Sequence, residues 1–134
     1  MSATPESTHD RGREGEEIAA ALLLDAGFRL LSRNWRHGRG ELDLVVEDPD
    51  GSVVFVEVKS ARGLWAGDPG EWITPAKRTR LAKLALAWLV RHQATHRCVR
   101  FDAILLRPGE PPEHLRGSSR KYVGGLKGSV SLQA

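Results

Sequence analysis

Gly40-Glu41-Leu42-Asp43-Leu44-Val45-Val46-Glu47, then Asp48-Pro49-Asp50-Gly51-Ser52, then Val53-Val54-Phe55-Val56-Glu57-Val58-Lys59, is the stretch that decides the fold. Two β-branched runs flank a Pro-Asp-Gly turn signal. Pro presets φ and Gly accepts a positive φ, so the stretch reads as a β-hairpin. A loop of Pro49, Asp50 and Gly51 sets Asp48 opposite Ser52, Asp43 opposite Glu57 and Glu41 opposite Lys59. Side chains alternate along a strand, so Glu41, Asp43, Val45, Phe55, Glu57 and Lys59 share a face. Leu42, Leu44, Val46, Val54, Val56 and Val58 form the other face, which is wholly apolar and expected to be core.

Directly opposed Cβ atoms lie roughly 4.5–5.5 Å apart, close enough for two carboxylates to repel. A Glu-Val-Lys triplet is common in strands, and an acid facing a lysine suits a solvated hairpin. An acid facing an acid does not. A hard divalent cation between Asp43 and Glu57 removes the repulsion, and Mg²⁺ or Mn²⁺ takes carboxylate oxygens while keeping waters. Lys59, two residues beyond Glu57, is expected to turn its ammonium into the same site.

The rest of the chain is read around this hairpin. Its 134 residues fit one domain, with a single cysteine, Cys98, and a formal net charge of +3. The pI near 9.4 permits a nucleic-acid partner. No run approaches the roughly 20 apolar residues of a membrane span, and no signal pattern opens the chain. The expected setting is soluble and cytoplasmic, with no membrane partner.

Residues 1–11 are polar and expected to be a disordered tail. A helix is expected over 12–26, with Ile18, Ala19, Leu22, Leu23 and Ala26 at helical spacing and Gly27 ending it. Glu16 and Glu17 then fall in its first turns, where acids suit the helix dipole. Glu16 also borders the apolar stripe and can face the hairpin site. A strand follows over 28–35, then a basic loop over 36–40. Arg33, Arg36 and Arg39 beside Trp35 read as phosphate contacts next to a stacking surface, or as an ordinary solvated loop. His37 reads as a surface residue.

Residues 60–75, rich in Gly and Pro, have the character of a flap beside the site, where Arg62, Trp65 and Trp72 can meet substrate. Thr74 reads as an N-cap and Pro75 as the first helical residue of a helix to about 92. Leu81, Leu84, Ala85, Trp88 and Leu89 form its buried stripe. Lys77 lies on the stripe's edge, within reach of the site or a phosphate. A last strand spans 97–106, interrupted by Asp102, which can pair with Arg100 or Arg80. Residues from 113 onward offer few apolar anchors and are expected to be loosely held.

Asp43, Glu57 and Lys59 on a hairpin, with a glutamate on the preceding helix, resemble the PD-(D/E)xK nuclease superfamily. More closely, the chain resembles the YraN family of small bacterial proteins. The resemblance rests on Gly15, Glu16, Ala19, Gly27, Arg33, Asn34 and Arg36, then on Gly40 to Leu44 and Phe55 to Lys59. It continues through Gly67, Pro69, Thr74, Lys77, Leu81, Ala85, Leu89, Arg100-Phe101-Asp102 and His114-Leu115. It implies an α/β fold with a restriction-endonuclease-like core, a small mixed sheet of about four strands flanked by helices in the order αβββαβ. It spans an endonuclease-like domain over 12–117, followed by a basic, poorly ordered tail over 118–134. The implied activity is metal-dependent hydrolysis of phosphodiester bonds in DNA, more than RNA, in branched or single-stranded substrates. The alternative is a nucleic-acid-binding protein that keeps the fold without the chemistry.

The same resemblance implies the roles. Asp43 and Glu57 would hold Mg²⁺ or Mn²⁺ with the Val58 carbonyl as third ligand, and Lys59 would orient the attacking water. Glu16 would bind metal through water or orient Lys59. Arg33, Arg36, Arg39, Arg62 and Lys77 would grip phosphates. Symmetric dimers suit enzymes that cut both strands of a junction, which leaves room for a homodimer. Two positions depart from the family pattern: Ala61 stands where an arginine is frequent, with Arg62 next, and Ser118-Ser119 replace an aromatic after His114-Leu115.

Overall fold

The hairpin forms with the register its turn dictates. In the computed structural model, which describes residues 8–60, 75–117 and 132–133, β2 (Gly40–Glu47) pairs antiparallel with β3 (Val53–Ser60). Leu44 faces Val56, Val45 faces Phe55, Val46 faces Val54 and Glu47 faces Val53. The Asp48 N–H donates to the Ser52 carbonyl at 2.9 Å and the Gly51 N–H to the Asp48 carbonyl at 2.8 Å. Asp48 Oδ1 accepts from the Asp50 N–H, and Asp50 Oδ1 from the Ser52 N–H. Gly51 sits at φ 92°, the left-handed conformation that a three-residue hairpin loop needs.

The ladder stops at Leu44–Val56. The expected pairings of Asp43 with Glu57 and of Glu41 with Lys59 therefore do not form as ladder partners. Strict alternation also fails here. Leu42 packs against the α2 (Pro75–Arg91) side of the sheet together with Val45 and Phe55, whereas Leu44 and Val46 pack on the opposite side. Gly40 faces α2 as well, since a Cβ on it would lie 2.7 Å from Leu84 Cδ2. Strand β2 thus turns over at Asp43, where it leaves β3.

The remaining elements complete a mixed sheet in the order β1-β2-β3-β4-β5-β6. Edge strand β1 (Arg29–His37) pairs antiparallel with β2 through the two-residue turn Gly38-Arg39, with Gly38 at φ 60°. The basic loop expected over 36–40 is mostly strand. β4 (Val99–Leu106) lies parallel to β3, reached through α2, and β5 (Glu113–Gly117) pairs antiparallel with β4. The two-residue β6 (Leu132–Gln133) pairs with β5. The order αβββαβ is the observed one through β4, but the sheet has five full-sized strands rather than four. β5 carries one buried apolar residue, Leu115, so its apolar pattern gave no strand signal.

Helix α1 (Thr8–Asp25) begins four residues before the expected start, which puts Glu16 and Glu17 mid-helix and removes the helix-dipole reading for both. Ala19, Ala20 and Leu23 of α1, with Phe28, cover Leu44, Val46, Val54, Val56 and Ile104. On the opposite side Leu81, Leu84, Ala85, Trp88 and Leu89 of α2 cover Val45, Val53, Phe55, Val99 and Phe101. Trp88 is core, as its place on the stripe predicts, and its Nε1 donates to Ser32 Oγ at 2.9 Å. Both faces of the hairpin are buried, not one. A parallel crossover must cross a face of the sheet, and α2 takes the face assigned to the site. Fully burying each of these large side chains contributes about 1.5–3 kcal/mol, so neither face can be left open for chemistry. The acids are displaced to the end of the sheet where β2 and β3 part.

Candidate active site

Where two strands diverge, their inward N–H groups lose partners, and a buried unpaired donor is costly. At this fork the Val58 N–H is taken by Asp43 Oδ2 at 2.9 Å. The Asp43 carboxylate is thereby held in the gap between β2 and β3. A cavity of about 10 Å³ adjoins it, lined by Asp43, Glu57 and Asp102 and, for the rest, by the apolar Leu42, Phe55, Val56, Leu81 and Phe101. This apolar wall strips water from the carboxylate. Burial is the largest influence on Asp43 and raises its pKa; the Val58 N–H opposes it, while Glu57, Glu16 and Glu41 each raise it further, bringing it from 3.8 to about 6.

Four acids from three elements therefore act on one point: Glu16 from α1, Glu41 and Asp43 from β2, and Glu57 from β3. A close ion pair joins these acids to Lys77. Lys77 Nζ lies 2.5 Å from Glu57 Oε1, and both side chains are about one-fifth exposed. A lysine in the first turn of a helix sits at the wrong end of the helix dipole, and no acid in that turn offsets it. Glu57 accounts for its position.

The expected site residues fall in different places. Glu16, Asp43 and Glu57 come together, and Glu41 joins them. Lys59, expected to aim its ammonium at these acids, is exposed at the end of β3 and ion-pairs with none of the described carboxylates. Lys77 takes that place. Arg33 and Arg39 are exposed on and beside β1, and Arg36 Nε lies 3.6 Å from Glu41 Oε2. Arg62, Trp65, Trp72 and the Thr74 cap lie outside the described residues. Among the described residues, no three His, Cys, Asp or Glu side chains gather closely enough to hold a metal by themselves. The expected set needs only two carboxylates and a carbonyl, with waters completing the shell. Hard oxygen donors and an Asp43 that retains its proton unusually well, crowded by three more acids, fit a hard divalent cation.

The sequence offered Asp102 either Arg100 or Arg80 as a partner, and the structure pairs it with Arg100. Arg100 Nε and Nη2 donate to the two Asp102 oxygens at 2.9 and 3.1 Å. His114 Nε2 lies 2.8 Å from Asp102 Oδ2, and the Gly117 N–H donates to Asp102 Oδ1 at 3.0 Å. Arg100 Nη2 also lies 2.8 Å from Asp48 Oδ2 in the hairpin turn. Burial alone would raise the pKa of Asp102, but His114, Arg100 and the Gly117 amide together hold it below the usual aspartate value. The Arg-x-Asp spacing, which puts both side chains on one face of a strand, was the available signal. Asp48 and His114 are too far away in sequence to be paired by pattern.

The model of the uncharacterised protein family UPF0102 matches residues 15–106. A UPF0102 protein of Nocardia farcinica is 45% identical over 109 residues, covering 78% of this chain and 85% of the relative. One from Bifidobacterium longum is 50% identical over 107 residues, 77% of this chain and 86% of the relative. One from Acidothermus cellulolyticus is 42% identical over 132 residues, 88% and 99% of the two. Among solved structures, that of the EndoMS–dsDNA2 complex is 20% identical with a TM-score of 0.38, covering 81% of this chain and 42% of that one. Pyrococcus furiosus SfsA in complex with Ca²⁺ is 18% identical with a TM-score of 0.33, covering 81% of this chain and 62% of that one. Neither likeness is near enough to transfer a site.

Proposed function

The chain belongs to the uncharacterised protein family UPF0102, and from that premise and its own acid cluster we propose that it is a metal-dependent nuclease hydrolysing phosphodiester bonds in DNA. The observation that carries the proposal is Asp43, a carboxylate fixed in the strand fork with its pKa lifted to about 6 by burial and by three neighbouring acids. A fold gains nothing from such crowding, whereas a cation site needs it. Asp43 and Glu57 would hold Mg²⁺ or Mn²⁺, with the Val58 carbonyl as a third oxygen donor. When bound, the ion supplies a Lewis acid and a water of lowered pKa.

The protein's own groups do the rest. The Val58 N–H fixes the rotamer of Asp43. Lys77 holds Glu57 in one orientation through their ion pair. Glu16 receives hydrogen bonds from water at the site and adds negative charge. Lys59, exposed at the end of β3, would place a compact positive charge against the phosphate as charge develops on it. Arg33, Arg36 and Arg39 grip flanking phosphates, with Arg62 as a further contact. No described helix is long and apolar enough to cross a membrane, and the exposed free Cys98 suits a reducing cytoplasm. A homodimer would cut both strands of a branched substrate.

The test is a cleavage panel of single-stranded, duplex, flap and four-way DNA, with RNA counterparts, in Mg²⁺ and in Mn²⁺. Cleavage is expected to disappear in Asp43→Ala and Lys59→Ala. A second readout is independent of turnover: Mn²⁺ should raise the melting temperature of the unaltered protein and leave that of Asp43→Asn unchanged. Cleavage that persists in Asp43→Ala rejects the assignment. One observation favours a second reading, a binding protein without chemistry: Glu57 already has a cationic partner in Lys77. That reading predicts salt-sensitive binding, no cutting and no thermal response to Mn²⁺.

A further inference from the structure

An open groove of about 640 Å³ runs between edge strand β1 and α2, within the roughly 300–1,000 Å³ of ligand clefts. Trp35, Arg36 and His37 line it from β1, and Lys83, Val90 and Arg91 from α2. We propose that this groove receives the unpaired strand flanking the cleaved phosphate, with bases on the Trp35–His37 pair and backbone phosphates on Lys83 and Arg91. The inference rests on the nucleic-acid reading of the acid cluster and names the substrate that cluster would meet.

Three observations carry it. The first is charge. Arg36, Lys83 and Arg91 are the ionised lining groups, and no acid lines the groove. Among the described residues Lys83 and Arg91 make no ion pair. The second is the aromatic floor. The rings of Trp35 and His37 are stacked within 1° of parallel, with centroids 5.6 Å apart. Trp35 also packs against the core, and His92 meets it edge-on at 6.3 Å, so the platform is held rather than loose. Only unpaired bases expose the π-face that such a platform takes; a duplex hides it. The third is continuity. Arg36 lines the groove and lies 3.6 Å from Glu41, two residues from Asp43. A strand in the groove thus leads toward the acids.

A second copy of the chain is the competing occupant, because Leu86 and Val90 are 38% and 61% exposed on the same helix. Self-association through this face brings Lys83 and Arg91 against their own copies, which like-charge repulsion opposes.

The experiment measures fluorescence anisotropy of a labelled short oligothymidylate with the full chain in EDTA across a salt series, beside the matching duplex. The single strand should bind more tightly than the duplex. Lys83→Gln with Arg91→Gln should weaken binding about tenfold and reduce the salt slope by about 1.4, or 0.7 per lost phosphate contact. His37→Ala should weaken binding roughly fivefold while leaving the slope unchanged, the signature of lost stacking. Wild-type affinity and slope in the doubly neutralised variant overturn the proposal. So does a dimer, seen by sedimentation without oligonucleotide, that dissociates in Val90→Glu. The nuclease reading is scored separately, by cleavage of the same oligonucleotide by the unaltered protein in Mg²⁺ and in Mn²⁺. If the protein cuts nothing yet the groove variants lose affinity, the groove stands and the nuclease falls. If it cuts and the groove variants bind like wild type, the groove falls alone.

Discussion

Asp43 and Asp102 are the same residue type, both shielded from water on neighbouring stretches of one sheet, yet they are driven in opposite directions. Asp102 sits among Arg100, His114 and the Gly117 amide, and its proton is held more weakly than usual. Asp43 sits among Glu57, Glu16 and Glu41 with one amide to steady it, and its pKa climbs to about 6. Burial acts the same way on both; the neighbours decide the outcome. The Asp102 cluster spends its charges on one another and ties β4, β5 and the hairpin turn together. The Asp43 cluster keeps like charges close together: Lys77 meets Glu57 and Arg36 meets Glu41, while the Val58 amide steadies Asp43 itself.

The contrast can be broken by substitution. Asp102→Ala should have the largest effect, because it leaves Arg100 buried with only Asp48 opposite. About 3–5 kcal/mol of stability should be lost, read from urea unfolding. If the loss is no larger than for a surface residue, the cluster is not structural.

Asp43→Asn should move stability the other way. A carboxyl whose pKa is raised from 3.8 to about 6 on folding binds its proton more tightly in the folded state. It therefore favours folding below pH 3.8, and that contribution is lost as pH rises from 3.8 to 6. At pH 7 the ionised Asp43 costs up to about 3 kcal/mol, from about 1.4 kcal/mol per pH unit. The variant should be more stable than the parent at pH 7 and gain nothing at pH 3.5, as measured by unfolding at both values. A destabilised variant at pH 7 contradicts the crowding.

Lys77→Met should cost about 1 kcal/mol or less, since the pair with Glu57 is partly solvated. Its sharper signature is on Asp43, whose carboxyl should titrate higher still by NMR once Glu57 loses its counter-charge. Arg36→Ala should change stability least, within about 0.5 kcal/mol, because its pair with Glu41 is exposed and long.

How much of this was legible depended on how local the information was. The hairpin register followed from Pro49, Gly51 and alternation, all within a few residues, and it is the observed register from Glu47 to Leu44. Alternation then over-reached. It carried the register through Asp43 to Glu41, while the real strand turns over at Asp43 so that Leu42 can join Val45 beneath α2. The open face was misjudged for a related reason. Val45 and Phe55 share parity with Asp43 and Glu57, and the acids drew attention from the apolar residues between them. Lys59 was favoured over Lys77 because it is two residues from Glu57, whereas Lys77 arrives by the folding of α2 onto the sheet. β5 was invisible because a ladder with β4 and the polar grip of Asp102 on His114 and Gly117 hold it, and neither leaves a local pattern.

Gly40 ties the architecture to the chemistry. Any side chain there would collide with Leu84, whose Cγ and both Cδ atoms lie within 3.1 Å of where a Cβ would stand. Leu84 is anchored in the core, so the collision would push on α2, and α2 carries Lys77 at its first turn. The absence of a side chain at Gly40 is therefore what lets α2 sit this close to the sheet, in the position from which Lys77 meets Glu57.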